Sequence, residues 1–439
     1  RFPYLAAKYG GGIFLLVYII LVCTFGYALM VAENAIGRKS GKSSLNAFAS
    51  LNKKWGFVGI IATLIPAIIL PYYDVIGGWI IQYFAVYFGG LVTDVANALQ
   101  GITSNGTYGA DLVAGATYFT DMLSSPWSLL ITQTIFTGFI VAVLLMGVKK
   151  GVEKVSTVLM PVLVILAIAI SIYSMTMPGA MEGVKYLFIP NFDNFSIMGV
   201  LAAMGQMFYS LSLAMGIMIA YGSYMPKNTS LEGNVTKIEF FDTLIAVLAG
   251  LMIIPAVFAF DKTQLSAGPG LMFMTLPKVF NTMPLSNLVG VLFFFLVFAA
   301  AITSAISLME TIVACVCDHF KISRKASVLI VGIGSWAISC LPALGYNVLS
   351  DVRFIGGRFD ILDFMDFITN SVMMPICALL ICLFVTFGIG TKLVEEEVLS
   401  FGKFKRKGLF NVMIKYIAPI LVCLVLASSV LSAFGVISM

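Results

Sequence analysis

The sequence predicts an all-α polytopic membrane protein, on three observations. Of the 439 residues, 60% are hydrophobic and only 11% are charged, where a soluble domain carries roughly 25% charged residues. Apolar stretches of the length needed to cross a hydrocarbon core, about 20 residues each, recur along the chain. These stretches are apolar all round, whereas barrel strands alternate apolar and polar residues over about 10 positions.

From the N-terminus the spans are 12–37, 57–92, 129–147, 157–177, 199–222, 243–260, 286–317, 327–345, 361–388 and 410–436. Charged loops separate them, and the charge alternates in a consistent way. The loop after the first span carries Arg38, Lys39, Lys42, Lys53 and Lys54, and the next loop on that side carries Lys149, Lys150 and Lys154. Lys227 and Lys237, then Lys321, Arg324 and Lys325, then Lys392, Lys403, Lys405, Arg406, Lys407 and Lys415 continue the series. The opposite loops hold only Lys185, Lys262, Lys278, Arg353 and Arg358. The positive-inside rule places the first set in the cytoplasm and the C-terminus outside. The net charge of +5 therefore reflects topology and gives no sign of nucleic-acid binding. The chain opens Arg1-Phe2-Pro3-Tyr4 with no methionine and no span before it, so a further segment is expected upstream.

All seven cysteines (Cys23, Cys315, Cys317, Cys340, Cys377, Cys382, Cys423) fall within or at the ends of apolar spans. The spacing of Cys315 and Cys317 puts them on different helix faces, which suits neither zinc nor a redox pair. The one histidine, His319, follows Asp318 in a basic turn and reads as a solvated surface residue. No cleavable signal peptide is visible.

Polar residues intrude on the spans in a few places. The fifth span mixes glycine, serine and glutamine from Gly205 to Gly216. Such a stretch weakens a helix, and unwound backbone at membrane depth is tolerated only where it lines a cavity; small residues at a helix–helix contact are an equal reading. In the seventh span Ala300, Thr303, Ser304 and Ser307 form a stripe at helical spacing, which alone would read as helix packing or backbone bonding. Of the acids at or near the spans, four stand out: Asp74, Asp242, Glu310 and Asp366. A charge at the bilayer centre costs about 2.5–3.5 kcal/mol on insertion scales, so such residues usually mark ion or substrate paths. Glu310 lies low in its helix, towards the cytoplasmic side, and Asp360 is placed in an exposed outer loop. Asp74, after Tyr72 and Tyr73, is open between a pathway role and a structural hydrogen bond. For Asp242 the alternative is a helix cap near the cytoplasm, after Lys237 and Glu239.

Four motifs, in order, carry a resemblance. They are Arg1-Phe2-Pro3 followed by Gly10-Gly11-Gly12, the run from Gln206 to Ser212 (QMFYSLS), the run from Gly268 to Pro277 (GPGLMFMTLP), and Ile322-Ser323-Arg324-Lys325. With them the whole chain resembles the neurotransmitter:sodium symporter family, in particular its bacterial eleven-helix amino-acid transporters. The resemblance implies a leucine-transporter-like fold of two inverted five-helix repeats plus one extra C-terminal helix, with binding at the midplane. Residues 1–439 would form a single transporter domain. Its first repeat would run over 1–176, from the end of helix 1 to helix 5, and its second over 199–388, with helix 11 at 410–436. Helices 1, 2, 6 and 7 would swing against 3, 4, 8 and 9.

The same resemblance implies roles position by position. Ser210 and Asp242 match the first sodium site; Ala300 through its carbonyl, Thr303 and Ser304 match the second. Hard oxygen ligands suit an alkali ion. The substrate pocket would comprise Ile69, Tyr73, Tyr209, Ser210, Ser212, Met215, Ser304 and Leu308, with Tyr73 binding a carboxylate. Arg1 and Asp366, with Gln206 beside them, match an outer gate; Tyr221 and Asp318 match parts of an inner gate. The family also draws sodium, carboxylate and inner-gate ligands from its first helix, so residues 1–439 are expected to lack those ligands at both sodium sites. Met215 stands where many relatives have phenylalanine and would admit a large apolar or aromatic side chain. Animal members bind chloride with a serine one turn beyond the position of Asp242; Ala246 stands there, and the fixed carboxylate implies chloride independence.

The function expected is therefore sodium-coupled symport of a hydrophobic or aromatic L-amino acid across the plasma (inner) membrane, with no enzymatic activity. A non-transporting sensor, an ion channel and an inactive truncated member are the alternatives. An intramembrane aspartyl protease would pair Tyr73-Asp74 with a Gly-x-Gly-Asp motif, which the sequence lacks.

Overall fold

The computed structural model describes residues 2–100, 108–115, 117–260 and 270–433. Among them no strand forms, and isolated bridges join only Gly11 to Pro190 and Phe354 to Phe359. The main helices are α1 (Phe2–Lys8), α2 (Gly12–Ser40), α3 (Ser44–Leu51), α4 (Gly56–Gln100), α5 (Pro126–Leu145) and α6 (Val148–Met175). They continue as α7 (Ala180–Phe188), α8 (Ile197–Ser210), α9 (Ile217–Tyr224), α10 (Leu231–Phe260), α11 (Ser286–Phe320) and α12 (Arg324–Leu344). The last are α13 (Ile361–Gly388), α14 (Thr391–Leu399) and α15 (Lys407–Ala433). Nine helical spans among the described residues are long and apolar enough to cross a membrane. The remaining expected span, 199–222, is divided between α8 and α9.

Helix ends depart from the apolar runs in an informative way. The α4 helix has 45 residues, about 67 Å at 1.5 Å per residue, so it projects well beyond a hydrocarbon core about 30 Å thick. The α10 helix begins at Leu231, twelve positions before the expected start of its span. Asp242 is therefore inside the helix, and the capping alternative is ruled out. Asp360 is a correction too: it is buried, and its carboxylate accepts the Asp363 amide at 2.8 Å as the N-cap of α13. Glu310 does not reach solvent. It is fully buried and accepts from Arg324 at 2.8 and 2.6 Å and from Tyr224 at 3.0 Å.

Helix α4 packs along α11 through the centre of the molecule, Tyr87 lying where a side chain at Gly290 would begin. The contact between α2 and α9 is closer. A Cβ at Gly37 would lie 2.0 Å from the Ile219 carbonyl oxygen, and one at Gly222 would lie 2.6 Å from that of Asn34. Only glycine permits this approach of backbone to backbone.

The basic loops converge on one face. Lys42 pairs with Asp318 at 3.5 Å, and Arg406 pairs with Glu239 at 2.6 Å while lying 3.5 Å from the Tyr27 ring centroid. Arg38 is buried, pairs with Glu397 at 2.7 Å, and donates to the carbonyls of Thr229 and Glu397. Removing one partner of a buried pair typically costs 3–5 kcal/mol, while replacing both by apolar residues is often tolerated. Arg38→Met should therefore lower the thermal midpoint of the detergent-solubilised protein by an amount equivalent to about 3 kcal/mol. The double variant Arg38→Met with Glu397→Leu should recover part of that loss.

Candidate functional site

The break between α8 and α9 organises the site. From Leu211 to Gly216 the backbone leaves the helix, with Ser212, Ala214 and Gly216 at φ of 54°, 59° and 74°. Two of these are left-handed positions held by residues with a Cβ, which costs roughly 1–2 kcal/mol each. Part of the freed backbone is satisfied from α2: the buried Glu33 carboxylate accepts the Ala214 amide at 2.7 Å. Of the two readings of the 205–216 stretch, the cavity-lining one holds for its second half.

A cavity of about 350 Å³ opens at this break. Its wall includes Ile69, Tyr73, Tyr209, Ser210, Ser212, Met215, Ser304 and Leu308, all eight residues expected in a pocket. Ile69 and Tyr73 lie one turn apart on α4; Ala300, Ser304 and Leu308 lie one turn apart on α11, so each helix presents a single face. The Tyr73 hydroxyl lies within hydrogen-bonding reach of Ser304. Asp242, Ala300 and Gln206 also line the cavity, as do Phe2, Pro3, Ile217, Ile245, Ala246 and Ala249.

At one side of the cavity three oxygens meet. The Tyr18 hydroxyl donates to Asp242 Oδ2 at 2.7 Å and lies 2.6 Å from Ser210 Oγ, which is itself 3.5 Å from the same carboxylate oxygen. One turn after Asp242, Ala246 offers no hydroxyl. On α11 the Thr303 hydroxyl bonds back to the Ala299 and Ala300 carbonyls, each at 3.0 Å. Asp366 accepts from Asn370 at 2.5 Å, and Asn370 donates to the Tyr72 hydroxyl at 3.3 Å. Arg1, the expected partner of Asp366, lies outside the described residues, as do positions 268 and 269 of the expected lid. Towards the basic face Tyr221 donates to Ser307 at 2.7 Å, and Asp318 accepts from Ser43 and Asn46. Tyr221 and Asp318 thus engage different elements.

Two residues of the site escaped the sequence reading. Tyr18 sits within a long apolar run, where a tyrosine carries no distinguishing signal. Glu33 was legible: it is an acid inside the first apolar span, close to the first basic loop.

The profile of the sodium:neurotransmitter symporter family matches residues 1–95 and 118–436. This chain belongs to that family. It is 34% identical over 443 residues to the uncharacterized sodium-dependent transporter YhdH of Bacillus subtilis (strain 168), covering all of this chain and 93% of that protein. It is 30% identical over 453 residues to the uncharacterized sodium-dependent transporter MJ1319 of Methanocaldococcus jannaschii, covering 99% and 87%. Among solved structures, that of MhsT in complex with L-phenylalanine superposes with a TM-score of 0.85 at 34% identity, over 98% of this chain and 94% of that one. The symporter thus has the leucine-transporter-like fold that its motifs imply, and it is a multi-pass, sodium-dependent transporter by family.

Glu33 gives the site a mechanical test. A buried amide left without an acceptor costs about 1–3 kcal/mol. Glu33→Leu should destabilise the symporter by that amount in thermal unfolding, whereas Glu33→Gln, which keeps an oxygen for the Ala214 amide, should lose less than half as much.

Proposed function

We propose that this symporter carries a hydrophobic or aromatic L-amino acid into the cell, coupled to sodium and independent of chloride, by alternating access. The observation that carries the reading is the single cavity that gathers the pocket residues of α4, α8, α9 and α11 beside the carboxylate of Asp242. Its volume falls within the range of about 300–1,000 Å³ common for small-molecule sites.

In this reading the Tyr73 hydroxyl binds the substrate carboxylate, and the left-handed segment at Ser212 exposes backbone groups to the amino acid. Ile69, Met215 and Leu308 enclose the side chain. A first sodium ion sits at Ser210 and Asp242, and a second at the Ala300 carbonyl, Thr303 and Ser304. Asp366 and Gln206 lie on the outer path, with Arg1 as the gate partner of Asp366. Tyr221 and Asp318 lie on the inner path. The bundle of α1, α2, α8, α9 and α10 moves against α4, α5, α11 and α12. The convergence of the basic loops on one face supports a cytoplasmic assignment for that face, which leaves the C-terminus outside. The membrane is the plasma (inner) membrane.

Chloride independence follows from charge. A dehydrated sodium ion requires a nearby negative charge. A carboxylate 4 Å away supplies about 4 kcal/mol of attraction at an effective dielectric near 20. Asp242 provides that charge permanently, held by Tyr18 and Ser210.

Three measurements test the reading. The full-length protein in proteoliposomes should accumulate radiolabelled leucine, phenylalanine or tryptophan under an inward sodium gradient and lose accumulation when choline replaces sodium. Absence of uptake for every neutral amino acid would favour the sensor reading, and sodium current without accumulation would favour the channel. Met215→Phe should shrink the pocket and weaken competition by tryptophan relative to leucine about tenfold, equivalent to 1.4 kcal/mol; an unchanged ranking would remove Met215 from the site. Replacing chloride by gluconate should leave uptake unchanged, whereas Asp242→Asn with Ala246→Ser should fail in gluconate and partly recover in chloride.

A further inference from the structure

Behind the cavity, α4 carries an acid that the transport reading does not use. Tyr73 faces the cavity, whereas Asp74, about 100° further round the helix, points into the seam where α4 meets α5 and α12. Asp74 has 0% of its surface exposed and no ion-pair partner among the described residues. Ser335 donates to its Oδ2 at 3.1 Å, and its Oδ1 has no hydrogen bond. Thr137 on α5 faces the same carboxylate, yet its buried hydroxyl makes no well-aligned bond. One turn earlier on α5, Gln133 is also fully buried; its Nε2 donates to Cys340 Sγ at 3.5 Å and its Oε1 has no donor. In this seam Asp74 Oδ1 and Gln133 Oε1 each lack a hydrogen-bond donor, and the Thr137 hydroxyl beside Asp74 is the nearby group without an assigned partner. Such atoms are rare in native interiors and call for an explanation.

An ionised carboxylate in this setting needs a counter-charge. One carboxylate matches one positive charge, and neutral hydroxyl and amide oxygens are the hard ligands an alkali ion takes; a divalent ion would draw on more acidic groups. We propose that Asp74, Thr137, Gln133 and Ser335 hold a resident sodium ion, distinct from the two coupled ions and retained when substrate is absent. The ion would brace α4 against α5 and α12 and so fix the helix that presents Tyr73 to the substrate.

The test is equilibrium binding of radioactive sodium to the purified full-length protein, with and without amino acid, together with thermal midpoints in sodium and in N-methyl-D-glucamine. Asp74→Asn should bind one sodium fewer per protein under both conditions and should gain less midpoint from sodium than the unmodified protein does. Thr137→Val should keep the number of ions but weaken the substrate-independent class about tenfold. Asp242→Asn should remove substrate-linked sodium and leave the Asp74-linked ion in place, so failure of the coupled-site reading and failure of this one are separable. Should Asp74→Asn not fold, Gln133→Leu should show the same loss of substrate-independent sodium. Equal sodium counts in the unmodified protein and Asp74→Asn would overturn the proposal, with buried water satisfying the seam instead. A pH dependence of uptake abolished by Asp74→Asn, without any change in sodium count, would overturn it in favour of a bound proton.

Discussion

Backbone that leaves a helix at membrane depth must find its hydrogen bonds inside the protein, and the six residues from Leu211 to Gly216 impose that demand here. The cavity exists because the chain opens at this point. A carboxylate on α2 is needed because the Ala214 amide has lost its helical acceptor. The polar side chains at Ser210 and Ser212, which would weaken an ordinary span, are placed where the backbone is already interrupted. The rest of the architecture surrounds this opening with continuous helices that satisfy their own backbones.

Those continuous helices divide the work by face. Helix α4 shows Ile69 and Tyr73 to the cavity, and the residue next to Tyr73 faces the seam behind it. Helix α11 shows Ala300, Ser304 and Leu308 to the cavity, while Thr303 turns its hydroxyl back onto its own helix. Helix α10 brings Asp242 to the cavity from the middle of a 30-residue helix. The carboxylate there is held in position by the hydroxyls of Tyr18 and Ser210.

Much of this was legible in the sequence for physical reasons. Apolar runs long enough to span a bilayer have few alternative structures, and basic loops carry their sidedness in their charge. The fifth span announced its interruption through Gly205, Ser210, Ser212 and Gly216. Other features left no local trace. The extension of α10 back to Leu231 passes through Glu232, Lys237 and Glu239, charges that read as a loop until Arg406 neutralises the two acids from a distant segment. Asp360 read as a loop residue because a helix cap and an exposed turn have the same composition. Tyr18 meets Asp242 across 224 positions, a pairing that periodicity does not encode. Several spans also contain π-helical turns, as at Val22–Gly26 and Phe367–Met373. Each wider turn rotates the face that follows it and blurs the helical repeat.

The glycine contacts between α2 and α9 have a mechanical consequence. With the Gly37 and Gly222 backbones seated against Ile219 and Asn34, neither helix can slide along the other without steric collision. The lower half of the broken helix and α2 are therefore geared into one rigid arm. That arm carries Tyr18 near one end and Arg38 near the other, about 30 Å apart at helical rise. A small rotation at the Tyr18–Asp242 hydrogen bond becomes a larger displacement at Arg38, where the arm grips α14 through Glu397. Leverage of this kind relays an event at the membrane centre to the basic face without any chain of rearranging side chains between them.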